Sequence, residues 1–458
     1  MKIIILGAGQ VGRTAAAQLA REQANQITVV DTDSNTLREL RDRLDIRTVV
    51  GSAAHPRTLE AAGAEDADMI VALTNSDEVN MMACQVAFTL YRTPTKIARV
   101  RTTDYAAHQK LFEEGGLHVD VLISPEQLVT DYVGRLIRHP GALQVLDFAG
   151  GRVRMVGVRA IAGGQLVGHQ LRELRDHLPQ RDVRVAAIYR NGRSVQPEGD
   201  TLIEAGDEVF FLAARDDIRV MMKELRTEEA PVRRIVIAGA GNIGYRLARS
   251  LEEENQVKLI ERNPDRARFA AETLRRALVL IGDAADEELL LEENIDDTDV
   301  FVSLTNAEEA NILSAMLAKR LGAHRAMALI NRPAYAELIE GGSIDVAISP
   351  QLITIGELLA RVRRGDVARV HSLRRGAAEA METIVHGDAR SSLIVRRRIE
   401  QIELPPGTTI GAIVRGEEVI MAHHDTVIEA DDHLIMFLTD RRHVETVGKL
   451  FQAGTTRA

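Results

Sequence analysis

The sequence of 458 residues is poor in cysteine and in aromatic side chains. It contains one cysteine, Cys84, no tryptophan, and only 3% aromatic residues in total. A single cysteine excludes a disulfide framework within the chain and a metal cluster held by cysteines. Cys84 lies in a helical pattern of apolar residues, so we interpret it as a small buried hydrophobe rather than a reactive thiol. The core must therefore be mainly aliphatic.

An excess of positive charge and long apolar runs are also lacking. The formal net charge is −10 at pH 7, which argues against binding to nucleic acid, because the phosphate backbone requires a basic protein face. The same charge does not favour direct binding to anionic lipid. No apolar run approaches about 18 residues, the length of a membrane span, and no segment resembles a signal peptide. We expect the protein to be cytosolic, or attached to a membrane only through a partner.

Two glycine-rich loops are the most informative features that are present, and each follows a short apolar run. The first comprises Gly7, Ala8, Gly9, Gln10, Val11 and Gly12, and the second comprises Gly239, Ala240, Gly241, Asn242, Ile243 and Gly244. In this pattern the first glycine permits a sharp turn, the second lets a pyrophosphate approach the backbone, and the third lets the helix lie close to the strand. The phosphates then bind the free N–H groups of the helix N-terminus. A tight strand-to-helix turn that binds nothing is the alternative.

An acidic residue ends the next apolar run in both cases. It is Asp31 after the first loop and Glu261 after the second. A carboxylate in this position accepts hydrogen bonds from ribose hydroxyls and repels a 2′-phosphate, which favours NAD over NADP. Since strand, loop, helix and acid recur together, the sequence predicts two dinucleotide sites in one chain.

The similarity between the two halves extends beyond these loops. The matching segments are Asp68–Asn75 with Asp299–Asn306, Ile123–Glu126 with Ile348–Gln351, and Asp200–Phe211 with Asp425–Met436. The first unit of each half alternates strand and helix patterns, which is typical of a doubly wound parallel sheet. The second unit contains short runs of β-forming residues separated by acidic and glycine turns. The predicted fold class is therefore α/β, with two Rossmann-like doubly wound parallel-sheet domains that are each followed by a small α+β domain.

Further ligand contacts are expected at the carboxyl ends of the strands, where doubly wound sheets bind their ligands. The candidates are Gly51, Thr74 and Asn75 in the first half and Gly282, Thr305 and Asn306 in the second. Ordinary turn chemistry is the alternative reading of these residues. Arg99 could reach a terminal phosphate with its guanidinium, or it could be a solvated strand end. The second half has no counterpart of Arg99, so the two sites should differ in ligand or affinity.

The sequence contains few candidate catalytic residues. An NAD-dependent dehydrogenase needs a proton donor beside the nicotinamide, and no histidine or lysine recurs at a strand end in both halves. His423, His424 and Asp425 could ligate a metal, but adjacent histidines point to opposite faces of a strand, so no metal site is predicted. Residues 396–398, three arginines, are interpreted as a solvated strand.

Several longer segments resemble the TrkA family, the cytosolic nucleotide-binding regulatory subunits of bacterial Trk potassium uptake systems. They are MKIIILGAGQVG, ADMIVALTNSDEVNMMACQVA, ISPEQLV, EEANILSAMLAKRLGA, LPPGTTIGAIVRG and HLIMFLTD. The resemblance covers essentially the whole chain as two tandem units, each an RCK N-terminal (KTN) domain followed by an RCK C-terminal (TrkA-C) domain. We place these four domains at residues 1–123, 142–226, 232–348 and 368–453.

The resemblance implies a function that residue spacing alone does not. Such proteins form a ring on the cytosolic face of the inner membrane, bound to a potassium-translocating subunit of the TrkH or TrkG type, and are not enzymes. They bind NAD(H) in both N-terminal domains, and ATP or ADP competes in some members. Carried over by position, the nucleotide contacts fall on Gly7 to Val11, Asp31, Thr74, Asn75 and Arg99, and on Gly239 to Ile243, Glu261, Thr305 and Asn306. The missing second arginine leaves ATP recognition by the second half open. An NAD-dependent oxidoreductase and a stand-alone sensor with soluble partners are the competing hypotheses.

Overall fold

The structure, a computed structural model, describes residues 1–22, 25–113, 115–227, 229–332, 335, 344–362, 367–373, 378–388, 391–439 and 443–451. Within these residues the strands form four sheets that follow one another along the chain, with six, five, six and five strands. The six-stranded sheets are parallel and the five-stranded sheets are antiparallel. The predicted α/β fold, with a parallel-sheet domain before each α+β domain, is confirmed.

The first parallel sheet has the strand order β3-β2-β1-β4-β5-β6, which is that of a dinucleotide-binding fold. Its strands are β1 (Lys2–Leu6), β2 (Gln26–Asp31), β3 (Arg47–Val50), β4 (Met69–Ala72), β5 (Thr95–Arg99) and β6 (Val121–Ile123). The accompanying helices are α1 (Gln10–Leu19), α2 (Ser34–Arg43), α3 (Pro56–Ala62), α4 (Asp77–Tyr91), α5 (Thr103–Ala107) and α6 (Pro125–Arg138). The central strands β1 and β4 are buried at nearly every position, which explains their continuous apolar sequences.

The first antiparallel sheet has the order β10-β9-β11-β8-β7. Its strands are β7 (Ala142–Phe148), β8 (Val153–Arg159), β9 (Val183–Arg190), β10 (Arg193–Val195) and β11 (Glu208–Ala214). Two short helices accompany it, α7 (Leu174–His177) and α8 (Ile218–Leu225). Helix α8 buries one face through Ile218, Met221 and Leu225, as the spacing of its apolar residues predicts.

The second parallel sheet repeats the order of the first as β14-β13-β12-β15-β16-β17. Its strands are β12 (Arg234–Ala238), β13 (Gln256–Glu261), β14 (Leu278–Ile281), β15 (Val300–Ser303), β16 (Arg325–Leu329) and β17 (Val346–Ile348). Its helices are α9 (Asn242–Leu251), α10 (Pro264–Thr273), α11 (Glu287–Glu292), α12 (Glu308–Arg320) and α13 (Pro350–Val362). The glycine loops thus join β1 to α1 and β12 to α9, at equivalent points of two equivalent sheets.

The second antiparallel sheet has the order β18-β19-β22-β20-β21. Its strands are β18 (Val367–Leu373), β19 (Ala378–Ile384), β20 (Thr408–Arg415), β21 (Glu418–Met421) and β22 (His433–Leu438), and helix α14 (Val444–Phe451) follows. The three arginines at 396–398 lie outside these strands, in a turn where only Arg398 makes an isolated bridge to Val427. Our interpretation of 396–398 as a strand was wrong, because the run has no apolar face to bury and ends a turn instead.

Contacts divide the chain into two compact units, Met1–Leu128 with Gln351–Val362, and Val129–Pro350 with Arg363–Ala458. Most of α13 belongs to the first unit, where Thr14 Oγ1 of α1 donates a hydrogen bond of 3.3 Å to Gln351 Oε1. Most of α6 belongs to the second unit, where Arg325 Nη1 donates a hydrogen bond of 3.2 Å to the carbonyl of Leu136. The helix that follows each parallel sheet is therefore grouped with the other parallel sheet.

The core is mainly aliphatic, as the composition predicts. The fully buried aromatic side chains are Phe148, Phe210, Phe211, Phe301 and Phe437, and all but Phe301 belong to the antiparallel sheets. Cys84 is 0% exposed, and burial raises the pKa of its thiol to about 12, so it is a buried hydrophobe as expected. None of the helices in the described ranges is long and apolar enough to span a membrane.

Candidate functional site

The first glycine loop needs a glycine at two of its positions for reasons internal to the fold. Gly7 has a φ of +104°, which side chains rarely adopt. A Cβ atom at Gly12 would lie far inside the van der Waals distance of the carbonyl oxygen of Gly7. The close approach of α1 to the loop therefore depends on Gly12, as the sequence pattern predicts.

Gly9 differs from these two glycines because nothing in the fold demands it. Its φ of −67° is open to any residue, and a Cβ atom there would meet nothing within 4 Å. Gly9 is the N-cap of α1 and faces open space in front of the helix N-terminus. A missing side chain at this point leaves room for a ligand to reach the backbone.

The second glycine loop repeats this geometry. Gly239 has a φ of +101°, and a Cβ atom at Gly244 would clash with the carbonyl oxygen of Gly239. Gly241, the N-cap of α9, would again place a Cβ atom in open space. The two halves thus share the same division between glycines that the fold requires and one glycine that it does not.

Helices α1 and α9, which follow these loops, lack the side-chain N-cap acceptor that α2, α4 and α10 have. Asp33 accepts a hydrogen bond from the N–H of Asn35 at the start of α2, and Ser76 accepts one from Val79 at the start of α4. Glycine has no side chain with which to do the same for α1 and α9. The free N–H groups and the helix dipole at these N-termini are therefore suited to an anion such as a phosphate.

The acids at the ends of β2 and β13 are bound to the glycine loops. Asp31 Oδ2 accepts a hydrogen bond of 2.6 Å from the N–H of Ala8, and its Oδ1 accepts one of 2.9 Å from Asp33. Glu261 Oε2 accepts a bond of 2.7 Å from Ala240, and its Oε1 accepts one of 2.8 Å from Asn263. Each carboxylate is thus fixed beside its loop. The remaining lone pairs can accept hydrogen bonds from the hydroxyls of a ribose.

Gly51 and Gly282 lie directly after β3 and β14, at the same sheet edge as the acids. Gly51 donates a hydrogen bond of 2.9 Å to the carbonyl of Asp31, and Gly282 donates one of 3.1 Å to that of Glu261. A Cβ atom at Gly51 would meet Thr58, and one at Gly282 would meet Leu289. Both glycines therefore have a packing role that exists without any ligand.

The threonines that follow β4 and β15 are held by a buried asparagine. Asn80 Oδ1 accepts hydrogen bonds of 2.9 Å and 2.6 Å from the N–H and Oγ1 of Thr74, while its Nδ2 donates to the carbonyl of Arg99 at 2.9 Å. Asn311 makes the same bonds to Thr305 and to the carbonyl of Leu329. The neighbouring candidates Asn75 and Asn306 are exposed. The sequence analysis named neither Asn80 nor Asn311 as a candidate and missed this positioning role, although the two asparagines recur at equivalent places in the two halves.

Arg99 is the main difference between the two sites. Its Nη2 lies 3.3 Å from Glu126 Oε1, and Arg101 Nε lies 3.8 Å from the same oxygen. Burial lowers the pKa of Arg99, and the charge of Arg101 lowers it further, while Glu126 raises it. In the second half, Leu329 holds the position of Arg99, as its bond to Asn311 shows. The first site therefore has a charged cluster of two arginines and one glutamate that the second site lacks.

The adjacent histidines have a different structural setting from the expected one. His423 and His424 lie beyond the end of β21 at Met421, in a turn rather than a strand. The strand interpretation was wrong because Thr426 accepts a hydrogen bond from the N–H of His423 and closes a local turn. Within the described residues, no group of three or more His, Cys, Asp or Glu side chains is placed to hold a metal ion.

Comparison with known proteins accounts for the four-part organisation. The TrkA-N domain matches residues 3–125 and 235–350, and the TrkA-C domain matches residues 155–226 and 389–452. The Trk system potassium uptake protein TrkA of Halomonas elongata is 60% identical over 100% of both chains. The protein of the same name from Vibrio alginolyticus is 58% identical over 99% of both chains.

Solved structures support the same fold. The GsuK RCK domain superposes with a TM-score of 0.63 at 19% identity, over 98% of this chain and 94% of that one. The GsuK channel bound to NAD superposes with a TM-score of 0.61 at 18% identity, over 98% of this chain and 78% of that one. The curated relatives are named for potassium uptake, and the chain is not an enzyme. On the matches of both domain types and on the identity to these relatives, the chain belongs to the TrkA family of Trk system potassium uptake proteins.

Proposed function

We propose that the chain is the nucleotide-binding regulatory subunit of its potassium uptake system, and that it binds NAD(H) at both glycine loops. The observation that carries this proposal is the repeated bond between acid and loop, Asp31 to Ala8 at 2.6 Å and Glu261 to Ala240 at 2.7 Å. This bond holds a carboxylate beside an uncapped helix N-terminus twice in one chain, an arrangement that suits a ribose next to a phosphate. A structural neighbour with the same fold, the GsuK channel, was solved with NAD bound, which supports the choice of ligand.

The full nucleotide contact set remains a proposal. In the first half it comprises Gly7, Ala8, Gly9, Gln10, Val11, Gly12, Asp31, Gly51, Thr74, Asn75 and Arg99. In the second half it comprises Gly239, Ala240, Gly241, Asn242, Ile243, Gly244, Glu261, Gly282, Thr305 and Asn306. We propose that each sheet forms one domain, within residues 1–123, 142–226, 232–348 and 368–453.

ATP or ADP is the proposed alternative ligand of the first site. A dinucleotide has no terminal phosphate, whereas the chain of phosphates in ATP extends beyond the loop. Arg99 is suited to a terminal phosphate because guanidinium binds phosphate oxygens in a bidentate manner. Leu329 cannot do this, so the second site is expected to favour the dinucleotide.

Gating follows from differential binding. A nucleotide shifts a ring of subunits between two states only to the extent that it binds one state more tightly than the other. The proposed partner is a membrane potassium-translocating subunit of the TrkH or TrkG type, and the chain is a peripheral protein on the cytosolic face of the inner membrane through that partner. Self-association into a ring would let several nucleotide sites act on one pore.

The proposal is tested by potassium flux in vesicles that contain the membrane subunit. Flux is measured with and without the purified chain, over a range of NADH, NAD, ATP and ADP concentrations. We expect the chain to make flux depend on nucleotide, and we expect the double variant Gly9→Ala/Gly241→Ala to bind the membrane subunit without that dependence. Flux that responds to nucleotide without the chain, or a chain that does not associate with the membrane subunit, would overturn the proposal in favour of a soluble sensor.

A further inference from the structure

A cavity of about 640 Å³ lies in the second unit, and none of its lining residues belongs to a glycine loop. It is formed by the end of α6, by α8, by the connection that leads to β12, and by the turn before β13. The lining residues that matter most for its chemistry are Ile137, His139, Arg219, Met222, Lys223 and Arg226. The cavity therefore lies where the first half of the chain passes into the second.

Positive charge is concentrated around this cavity. Among the lining residues that the structure describes, Arg138, Arg219, Lys223 and Arg226 are cationic, and Glu229 and Glu254, which lie closest to Arg226 and Arg138, are anionic. This excess is local, because the whole chain carries a formal charge of −10. The closest approach of Arg138 to Glu254 is 3.9 Å between two exposed side chains, which is a weak and screened interaction. The cavity is thus attractive to an anion in an otherwise acidic protein.

The pKa of His139, which lies in the cavity wall, is affected by the same positive charges. Burial lowers the pKa of its imidazole, and the positive charges of Arg154 and Arg219 lower it further, against a raising hydrogen bond to the carbonyl of Arg135. The charge of Arg219 therefore makes the electrostatic potential near His139 more positive. A more positive potential disfavours a second cation and favours an anion.

Arg226 is fixed in the wall rather than free in solvent. Its Nη1 donates a hydrogen bond of 2.7 Å to the carbonyl of Gly141, and its Nη2 pairs with Glu229. A Cβ atom at Gly141 would lie 2.5 Å from the guanidinium carbon of Arg226, so glycine makes room for it. These two contacts, with Gly141 and Glu229, hold the guanidinium of Arg226 in one position in the cavity wall.

Part of the cavity lining is apolar. The apolar lining residues are Ile137, Pro140, Met222, Pro231 and Val232, of which Ile137 is 2% exposed and Met222 is 8% exposed. A lining with both apolar and cationic side chains matches a molecule that has both a hydrophobic body and a phosphate group. An inorganic anion would contact the cationic side chains alone.

We propose that this cavity is a third ligand site, which binds a phosphorylated organic molecule. The phosphate is placed against Arg219, Lys223 and Arg226, and the organic body lies over Ile137 and Met222. Because the cavity wall includes Arg226, Thr227 and residues 229–232 between the halves, a ligand here ties α8 to α6 and to the start of β13. The site would add a second input to the regulation, distinct from the nucleotides at the glycine loops.

The test uses the full chain with its glycine loops silenced by Gly9→Ala/Gly241→Ala. The probes are para-nitrophenyl phosphate, which has an aromatic body, and inorganic pyrophosphate, which has none. We expect calorimetry to show one para-nitrophenyl phosphate site per chain that binds more tightly than pyrophosphate. In this background, Arg219→Gln/Lys223→Gln should weaken binding by about tenfold or more, since charge-assisted bonds to phosphate are lost.

Matched controls separate this site from general charge. Arg266→Gln/Arg268→Gln removes two exposed cations from α10 and should change binding by less than about twofold. Binding that both double variants weaken equally, or no binding at millimolar probe, would overturn the proposal. Vesicles with and without phosphatidic acid form the last arm of the experiment. Binding to acidic vesicles that is lost in Arg219→Gln/Lys223→Gln, together with no binding of the soluble phosphate, would assign the surface to a lipid headgroup and overturn the small-molecule site.

Discussion

Asp31 holds the backbone of Ala8, because its Oδ2 accepts a hydrogen bond of 2.6 Å from the Ala8 N–H. Glu261 holds Ala240 in the same way at 2.7 Å. The acid that should bind the ribose therefore also braces the loop that should bind the phosphates. Occupancy of the ribose position and the geometry of the phosphate loop are linked through one carboxylate in each half.

Replacement of glycine by alanine should have opposite effects on the fold at Gly9 and at Gly12. Gly9→Ala places its Cβ atom in open space, so the fold should be retained while the phosphates lose their approach to the backbone. We expect the thermal unfolding temperature to stay within about 3 °C of wild type, and NADH affinity at the first site to fall by at least about tenfold. Gly12→Ala should instead unfold or strongly destabilise the first unit, because its Cβ atom clashes with Gly7.

Circular dichroism and NADH titration of both variants distinguish these effects. Gly241→Ala and Gly244→Ala provide the matched pair in the second half, where the same clash and the same open space recur. A Gly9→Ala chain that binds NADH as well as wild type would show that the open space is not the phosphate position. A stable, fully binding Gly12→Ala chain would contradict the packing argument.

The arginine cluster should set the preference of the first site for ATP. Arg99→Leu copies the residue found at the second site, Leu329, and should lower ATP affinity by about tenfold while it leaves NADH affinity within about twofold. Glu126→Gln removes the carboxylate that lies 3.3 Å from Arg99 Nη2, and should raise ATP affinity because the phosphate no longer competes with an internal anion.

Calorimetry with ATP and NADH measures both changes, with Arg43→Leu on the exposed face of α2 as the control. If Glu126→Gln weakens ATP binding instead, Glu126 contributes to the ligand rather than competing with it. Equal losses for ATP and NADH in Arg99→Leu would show that Arg99 supports the loop and does not read a terminal phosphate.

Asn80 should contribute to stability as well as to the site. It is 0% exposed, and its amide joins Thr74 to the carbonyl of Arg99. Asn80→Ala leaves these buried groups unpaired, which costs about 2–4 kcal/mol in the free energy of unfolding. Urea denaturation measures the loss, and Asn75→Ala at the exposed neighbouring position is the control. A loss below about 1 kcal/mol would mean that solvent replaces the asparagine.

His371 should make the second unit sensitive to mild acid. Its Nε2 lies 3.3 Å from the carbonyl of Asp147, and its ring packs against Phe148. Burial lowers the pKa of His371 to about 4 from its ordinary value of 6.5, and the charges of Arg369 and Arg135 add to the effect. The unfolded chain therefore binds a proton that the folded chain rejects between these two pH values, so stability falls as pH decreases through this window.

The size of this effect is about 3 kcal/mol when the whole window is crossed. His371→Gln should remove that part of the pH dependence, which is measured as the difference between wild-type and variant unfolding from pH 7 to pH 4. His55→Gln, at an exposed position, should leave the dependence unchanged. Parallel pH profiles for wild type and His371→Gln would contradict the prediction.

The sequence predicted the structure best at positions where the local backbone geometry alone requires a particular residue type. Gly7 and Gly12 follow from backbone angle and close helix packing, and Asp31 follows from its place at a strand end. Because each of these reasons acts within one strand–turn–helix unit, the α/β fold and the loop geometry could be predicted. Because the sequence repeats, the same predictions apply to the equivalent residues of the second half.

Features that depend on distant parts of the chain could not be predicted in this way. The pairing of Arg99 with Glu126 depends on where β6 turns into α6, which no local pattern specifies. The role of Asn80 requires that α4 packs so that one amide reaches two strand ends. The grouping of α13 with the first unit is a tertiary choice, since an amphipathic pattern shows that a helix buries one face but not which sheet covers it.

The central claim is that one chain holds two dinucleotide sites, each with its own acid. It is tested most directly by calorimetric titration of NADH into the wild-type chain, Asp31→Ala and Glu261→Ala, with unfolding temperatures recorded for all three. We predict two NADH molecules per wild-type chain and one per variant, with the remaining site unchanged. A wild-type stoichiometry of one or zero, or loss of both sites in a folded single variant, would contradict the account.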